Sequence, residues 1–401
     1  MQQVVRRPSR LMGQVTPPGD KSISHRALIL NAIAQGGATV TGLSDGRDVF
    51  STLRCLRALG VRIVPVRDGG PGAYLVAGVG LGGLREPAGV LNAGNSGTTM
   101  RLLTGLLAAQ PFLSVVTGDS SLRSRPMARV AEPLRKMGAE IWGRKGGSLA
   151  PLAVRGGALR GIEYTLPVAS AQVKSAIILA ALHARGETTI TQPALSRDHT
   201  ERMLRAMGNP PDESGLLLSV KPGPLKAMNV RVPGDFSAAV FWLVAAVCHP
   251  NARVRIANVG MNPGRTGALD VLLAMGARIA QENIREEGGE PVADLVAESS
   301  DLRSIEIRGD MIPRLIDEAP ALAVAACFAR GATVIADAQE LRVKESDRIA
   351  ATVQELSRLG ADVEERPDGM VVRGTGKLSG ARVQSHGDHR LAMSMAVAGL
   401  L

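Results

Sequence analysis

Aromatic side chains are nearly absent: two Trp, two Tyr and five Phe make up 2% of the 401 residues. That removes the stacking platforms on which nucleic-acid binders rely and leaves the cores to Ala, Val, Leu and Ile. Cysteine is also scarce. Cys55, Cys248 and Cys327 lie far apart with no paired spacing, which points to buried thiols in a reducing cytosol. Long apolar runs are missing too. The longest, "AAVFWLVAAVC" (238–248), has 11 residues, against the ~20 of a membrane helix, and reads as a buried helix. The opening "MQQVVRRPSRLMGQ" has arginines but no apolar stretch of a secretion signal. The expectation is a cytoplasmic protein with no membrane and no nucleic-acid partner.

Lysine is rare within a strongly basic chain. The net charge is +10, yet only eight of the 47 basic residues are lysines. Scattered arginines without a basic stripe favour small anionic ligands. Lysine is the basic side chain whose proton is readily tuned, so Lys21 and Lys344, both inside dense polar motifs, carry more information than any single arginine. With 45% apolar and 21% charged residues the chain is globular. Its length predicts two or three domains.

One phrase recurs. Leu-x-x-Leu/Met-Gly closes at Gly60, Gly138, Gly208, Gly276 and Gly360, and reads as an amphipathic helix stopped by a C′ glycine. Upstream of each lies a small-residue helix followed by Gly or Pro and a β-branched strand. The pattern is a βα unit of roughly 70–80 residues used five and a half times. Alanine-rich helices apolar most of the way round belong inside. The expected fold is therefore α/β, with helices inside and sheets outside, three units per domain. The turns "PPGDKS" (17–22) and "VPGDFS" (232–237) resemble each other three units apart. They place a domain I at 1–18 plus 234–401 and a domain II at 19–233, with a hinge near Pro17–Asp20 and Pro233–Asp235. The sixth unit reads as incomplete, short of roughly 25–40 residues by the repeat logic.

Chemistry-bearing residues gather where these helices open. "TPPGDKSISHR" (16–26) offers helix N-terminal amides with Lys21, Ser22 and Arg26, a phosphate or carboxylate site. Asp20 interrupts the Gly-Lys-Ser that a P-loop requires. "NAGNSGTTMR" (92–101) brings Gly97 and Thr98, and "SLRSRPM" (121–127) brings Arg123 and Arg125. "VASAQVKSAIILAAL" (168–182) places Ser170, Ala171, Gln172 and Lys174 at a helix mouth, and "LSRDHTERML" (195–204) opens with Arg197 and Asp198. Capping chemistry accounts for Ser170 and Asp198 there, less well for Gln172 and Arg197. Asp317 and Glu318 stand at the mouth of an oily helix, as caps or as a desolvated general base. "LRVKESDRI" (341–349) packs Lys344, Glu345, Asp347 and Arg348, with Lys344 and Arg348 on one helix face. "HGDHR" (386–390) falls at a helix start, which favours phosphate or carboxylate contact over a metal. "GVGLGG" (78–83) matches a dinucleotide fingerprint, but Pro87 and Gly89 follow it in place of a helix. The expectation is that six helix openings from two domains face a common cleft for two multiply charged anions.

"PGDKSISHRALIL", "GNSGTTMRLL", "RPM", "SAQVKSAIILAAL", "SRDHTERML", "IDE", "RVKESDRI" and "DHRLAM" together resemble the bacterial 5-enolpyruvylshikimate-3-phosphate (EPSP) synthases, in order, from about residue 9 onward. The resemblance implies a two-domain inverse α/β barrel of six βα repeats. It implies transfer of the enolpyruvyl group of phosphoenolpyruvate to the 5-hydroxyl of shikimate 3-phosphate, in the pathway to chorismate and the aromatic amino acids. It implies no metal and no organic cofactor, small anionic substrates as the only partners, and a monomer. By motif match, Lys21, Ser22, Arg26, Ser170, Ala171, Gln172, Arg197, Asp317 and Lys344 would hold shikimate 3-phosphate. Lys21, Gly97, Arg125, Gln172, Glu345, Arg348 and Arg390 would hold phosphoenolpyruvate. Asp317 would accept the hydroxyl proton, with Lys21 and Glu345 serving proton transfer. Gly97 would leave space for the herbicide glyphosate. The family carries one more phosphoenolpyruvate-contacting lysine in a C-terminal segment beyond the motifs present.

Two alternatives stand beside this reading. The sister enolpyruvyl transferase acting on UDP-N-acetylglucosamine would show Lys-Asn in place of Lys21-Ser22 and a loop cysteine, whereas Cys55 sits in a helical pattern. An inactive anion binder on the same fold would have lost its acid–base set, whereas Asp317, Glu345 and Lys21 are present.

Overall fold

The computed structural model describes residues 2–67, 69–70 and 72–401. The small-residue stretches form six helices: α1 Lys21–Ala32, α2 Gly97–Leu107, α3 Ala171–Ala181, α4 Phe236–Cys248, α5 Ala319–Cys327 and α6 His389–Leu400. Having no broad polar face, they are interior. All of α5 is buried, as is α1 from Ile23 to Ala32. Asp20, Ser96, Ser170, Asp235 and Asp388 cap five of them with a side-chain oxygen. At α5 the capping position is Glu318, whose side chain makes no capping bond.

Five amphipathic helices follow: Arg47–Ala58, Ala128–Met137, His199–Ala206, Gly267–Ala274 and Arg348–Arg358. The recurrent glycines end them in the left-handed region, with φ of 90° at Gly60, 112° at Gly138, 88° at Gly208, 93° at Gly276 and 80° at Gly360.

Five four-stranded sheets, counted among the described residues, share one strand order. In each, a short edge strand runs parallel to its neighbour, and an antiparallel hairpin completes the sheet. The sheet Leu91–Asn92, Leu113–Thr117, Leu149–Arg155, Glu140–Gly143 is representative. There the parallel pair is joined through α2, and α3 and α5 do the same for the parallel pairs ending in Thr188–Thr191 and Ala332–Ile335. Two sheets take their edge strand from far along the chain. Leu11–Val15 lies parallel to Ala252–Gly260, and Val230–Arg231 lies parallel to the end of Gln35–Thr41. The strands that enter "PPGDKS" and "VPGDFS" thus each complete the sheet of the other passage.

The chain divides into two compact units, each with its own apolar core. One contains Met1–Pro17, Gly234–Arg285 and Pro291–Leu401; the other contains Pro18–Pro233 and Glu286–Glu290. Pro18 and the hairpin tip Glu286–Glu290 therefore group with the central unit, where His199 Nδ1 lies 2.8 Å from Glu290 Oε1 and Arg202 donates to the Gly289 carbonyl. Helices α1 to α3 belong to the Pro18–Pro233 unit and α4 to α6 to the other. Among the described residues no helix is long and apolar enough to cross a membrane.

Candidate active site

In the Pro18–Pro233 unit, side-chain bonds tie the openings of α1, α2 and α3 together. Asp20 accepts from the Ile23 amide at 2.8 Å, so α1 begins at Lys21. Lys21 Nζ lies 3.3 Å from Asp48, and both side chains keep about a third of their surface. Arg26 is buried. Its Nε donates to Thr200 and a terminal nitrogen donates to Ser175, both at 2.7 Å, while the other terminal nitrogen donates to the Ser22 carbonyl at 3.0 Å. Burial pulls the Arg26 pKa down to about 10 against the opposing fields of Glu201 and Asp20, so it remains a cation at neutral pH. Arg197 is half-buried, and its charge adds to the lowering at Arg26.

His25, absent from the sequence-based set, links α1 to α2. Its Nδ1 lies 2.7 Å from the Thr52 hydroxyl, which meets the Thr99 hydroxyl at 2.7 Å, which in turn bonds Ser96 at 2.7 Å. Burial, with the charges of Lys21 and Arg26, holds His25 well below the ordinary histidine value and therefore neutral. Nothing in the primary pattern set it apart from a packed core histidine.

Gly97 opens α2 beneath two guanidinium groups. A Cβ there would stand 2.8 Å from Arg101 Nη1 and 3.6 Å from Arg125 Nη1. Arg101 donates to the Gln172 carbonyl oxygen at 2.5 Å, and Gln172 donates to Thr98 at 2.9 Å, which joins α2 to α3. Arg125 donates to Asn95 and Ser121. Ser170 caps α3, whose first residue is Ala171. Lys174 turns inward to a buried ion pair with Glu201 at 2.6 Å. Burial pushes the Glu201 carboxyl up, against the pull of Lys174. Asp198 does not cap its helix as expected; it pairs with Arg202 at 2.9 Å instead.

The second cluster lies where α4, α5 and α6 open. Arg348 is its hub and is 1% exposed. It donates to Asp317 at 3.2 Å, to Glu345 at 2.7 Å and through Nε to Asp388 at 2.7 Å. Burial opposes its charge, but Asp317, Asp388 and Glu345 outweigh that and lift its pKa above the ordinary arginine value. Burial would raise Asp388; the bond and charge of Arg348 hold it below the usual carboxylate range. Arg390 reaches Asp317 at 3.8 Å and Glu318 at 3.5 Å. Arg265, which the motifs did not single out, reaches Asp235 at 3.0 Å and Asp317 at 3.7 Å. Its signal was faint: Gly264-Arg265 stands just before the Gly267–Ala274 helix, much as Gly46-Arg47 stands at the opening of Arg47–Ala58.

Lys344 and Arg348 do not share a helix face. A 3₁₀ turn, Gln339–Val343, ends at an extended Lys344, and the helix starts afresh at Arg348. Asp347 is the reason: its carboxylate caps that helix at the Ala350 amide, 3.1 Å away, and fixes the start. Lys344 instead pairs with Glu340 at 3.2 Å.

The structure thus gathers Lys21, Ser22, Arg26, Gly97, Arg125, Ser170, Ala171, Gln172 and Arg197 within one unit. It gathers Asp317, Lys344, Glu345, Arg348 and Arg390 within the other. Helix N-termini, guanidinium forks, part-buried lysines and a part-buried carboxylate are the equipment of an α/β enzyme that handles small, multiply charged anions.

The profile of EPSP synthase (3-phosphoshikimate 1-carboxyvinyltransferase) matches residues 5–401. A 3-phosphoshikimate 1-carboxyvinyltransferase of Gloeobacter violaceus is 58% identical over 394 residues, spanning 98% of this chain and 90% of that protein. The enzyme of the same name from Herpetosiphon aurantiacus is 54% identical over 405 residues, spanning all of this chain and 93% of its own. The solved EPSP synthase of Acinetobacter baumannii superposes with a TM-score of 0.89 at 46% identity, covering 99% of this chain and 91% of that one. The chain belongs to the EPSP synthase family.

Proposed function

We propose that this chain transfers the carboxyvinyl group of phosphoenolpyruvate to the 5-hydroxyl of shikimate 3-phosphate, releasing phosphate. Family membership supports the reaction, and the matched names speak against the UDP-sugar alternative. The observation that carries the site is Asp317: a part-buried carboxylate at the mouth of an all-apolar helix, bonded to Arg348 and flanked by Arg390 and Arg265.

In this reading Lys21, Ser22, Arg26, Ser170, Ala171, Gln172, Arg197, Asp317 and Lys344 hold shikimate 3-phosphate. Arg26 acts from inside, its guanidinium fixing the Ser22 carbonyl and so the turn that presents Lys21. Lys21, Gly97, Arg125, Gln172, Glu345, Arg348 and Arg390 hold phosphoenolpyruvate. Asp317 accepts the 5-hydroxyl proton as the oxygen attacks C2, and C3 takes a proton from the Lys21 and Glu345 set. A proton of the C3 methyl then returns to that set as phosphate leaves the tetrahedral adduct, and the released phosphate takes up the proton held by Asp317, leaving the enol ether. Guanidinium forks offset the charge of two anions held side by side, which lowers the entropic and electrostatic barrier. No step calls for a metal or an organic cofactor.

The shared strand order of the five described sheets supports an inverse barrel of six units, three per domain. The expected domain I at 1–18 plus 234–401 and domain II at 19–233 are kept, except that Pro18 and the hairpin tip Glu286–Glu290 group with domain II. Pro17–Asp20 and Pro233–Asp235 serve as hinge segments. The enzyme acts as a monomer in the cytoplasm, with its two anionic substrates as partners.

The test is phosphate release. Turnover should require both substrates together, and Asp317→Asn should abolish it while leaving substrate binding largely intact. A near-normal rate in that variant would remove Asp317 as the base.

A further inference from the structure

The opening of α5 carries two adjacent carboxylates, and the reaction as read above uses only Asp317. Glu318 has no exposed surface and caps nothing. Its Oε1 accepts from the Ser237 hydroxyl and lies 3.5 Å from Arg390 and 3.8 Å from Arg265. Its Oε2 is buried and, among the described residues, has no hydrogen-bond partner. A buried carboxylate left half-satisfied is costly and calls for a role beyond packing.

We infer that Glu318 is the positioning residue for Arg390, fixing the plane of the guanidinium that receives phosphoenolpyruvate. This rests on the reading above that Arg390 meets that substrate. A planar guanidinium held at one nitrogen still swings; held at two, its free edge points one way. Arg390 is met at Nη1 by Glu318 and at Nη2 by Asp317. Asp317 must turn to the 5-hydroxyl during the reaction, so it cannot be the standing anchor. Glu318 can, because it is itself braced. Ser237 grips its Oε1, Arg265 donates to Ser237, and Arg265 is held by Asp235 at 3.0 Å. Asp235 and Ser237 open α4, Glu318 precedes α5, and Arg390 lies in the first turn of α6. The brace therefore transmits the packing of three buried helices to one reactive edge.

Steady-state phosphate release on the full chain tests this. Glu318→Ala should raise the KM for phosphoenolpyruvate by about tenfold or more, with kcat changing less and the KM for shikimate 3-phosphate within about twofold. Glu318→Gln keeps an acceptor for Ser237 and should recover part of the loss. In an Arg390→Lys background, Glu318→Gln should add almost nothing, because both act through one guanidinium. An unchanged phosphoenolpyruvate KM in folded Glu318→Ala, an equal rise in both KM values, or full additivity with Arg390→Lys would overturn the inference. If Glu318→Ala does not fold, Ser237→Ala removes the donor that fixes Oε1, and the same selective rise must appear there. Failure of the unaltered protein to release phosphate from the substrate pair would instead sink the reading of the reaction, before any variant is compared.

Discussion

Arg348 donates its Nε to Asp388 at 2.7 Å, and neither side chain has more than 1% of its surface exposed. Asp388 also caps α6 at the Arg390 amide, 2.9 Å away. One buried pair therefore sets the start of a core helix and the hub of the carboxylate cluster. Asp388→Asn keeps the shape but leaves the guanidinium short of one buried counter-charge. Removing one partner of such a pair costs roughly 3–5 kcal/mol. A urea titration should show that loss as a lower midpoint with an unchanged slope. A midpoint shift worth less than about 1 kcal/mol would mean that Glu345 and Asp317 suffice for Arg348.

Acid should act first through carboxylates that the fold holds below their ordinary range. Burial alone would raise Asp294, but the Asn258 amide, Asn283 and Arg255 hold it down at about 2. A carboxylate whose folded pKa is depressed contributes stability at pH values above its unfolded pKa of about 4. That contribution drains away as pH falls through the folded value. Wild-type unfolding free energy should therefore drop between about pH 4 and pH 2, and Asp294→Asn should be less steep over that window. Equal slopes in the two proteins would refute the assignment.

How much of this was legible before folding depends on range. The glycines at 60, 138, 208, 276 and 360 announced five helix ends, because a left-handed C′ residue is a local requirement and Gly meets it without strain. Ser170 announced a helix start for a similarly local reason, whereas Asp198, read the same way, makes no capping bond. Asp347 was the local signal overlooked, and with it Lys344 was placed on the wrong element. Ser237 and Glu318 lie 81 positions apart, so neither chain segment betrays their contact. No periodicity says that Leu11–Val15 completes the sheet of Ala252–Gly260. Such pairings are decided by which apolar faces bury one another.

Gly97 leaves no room for a side chain unless a neighbour shifts. A methyl group there would come within 2.8 Å of Arg101 Nη1, a flexible tip that can move, and Arg101 is what holds the Gln172 carbonyl oxygen. Gly97→Ala should therefore fold with an unfolding midpoint near wild type but release Gln172. The expected reading is a KM for phosphoenolpyruvate raised by about tenfold or more, with Arg101→Lys reproducing much of it. If Gly97→Ala alters neither KM, the guanidinium has accommodated the methyl and the coupling to Gln172 is absent.

The three thiols should be silent in the folded protein. Burial pushes Cys55 up to about 11 and Cys327 up to about 12, and drives Cys248 higher still. The thiolate is the reactive form, so at about pH 8 almost none is present at any of the three. Cys55 lies on the buried side of the Arg47–Ala58 helix, not in an active-site loop. Iodoacetamide at that pH should leave the native protein unmodified and fully active by phosphate release, and should add three groups once the chain is denatured. Rapid labelling of one native cysteine with loss of turnover would show instead a solvent-reached, activated thiol, and would reopen the case for an enolpyruvyl transferase that depends on one.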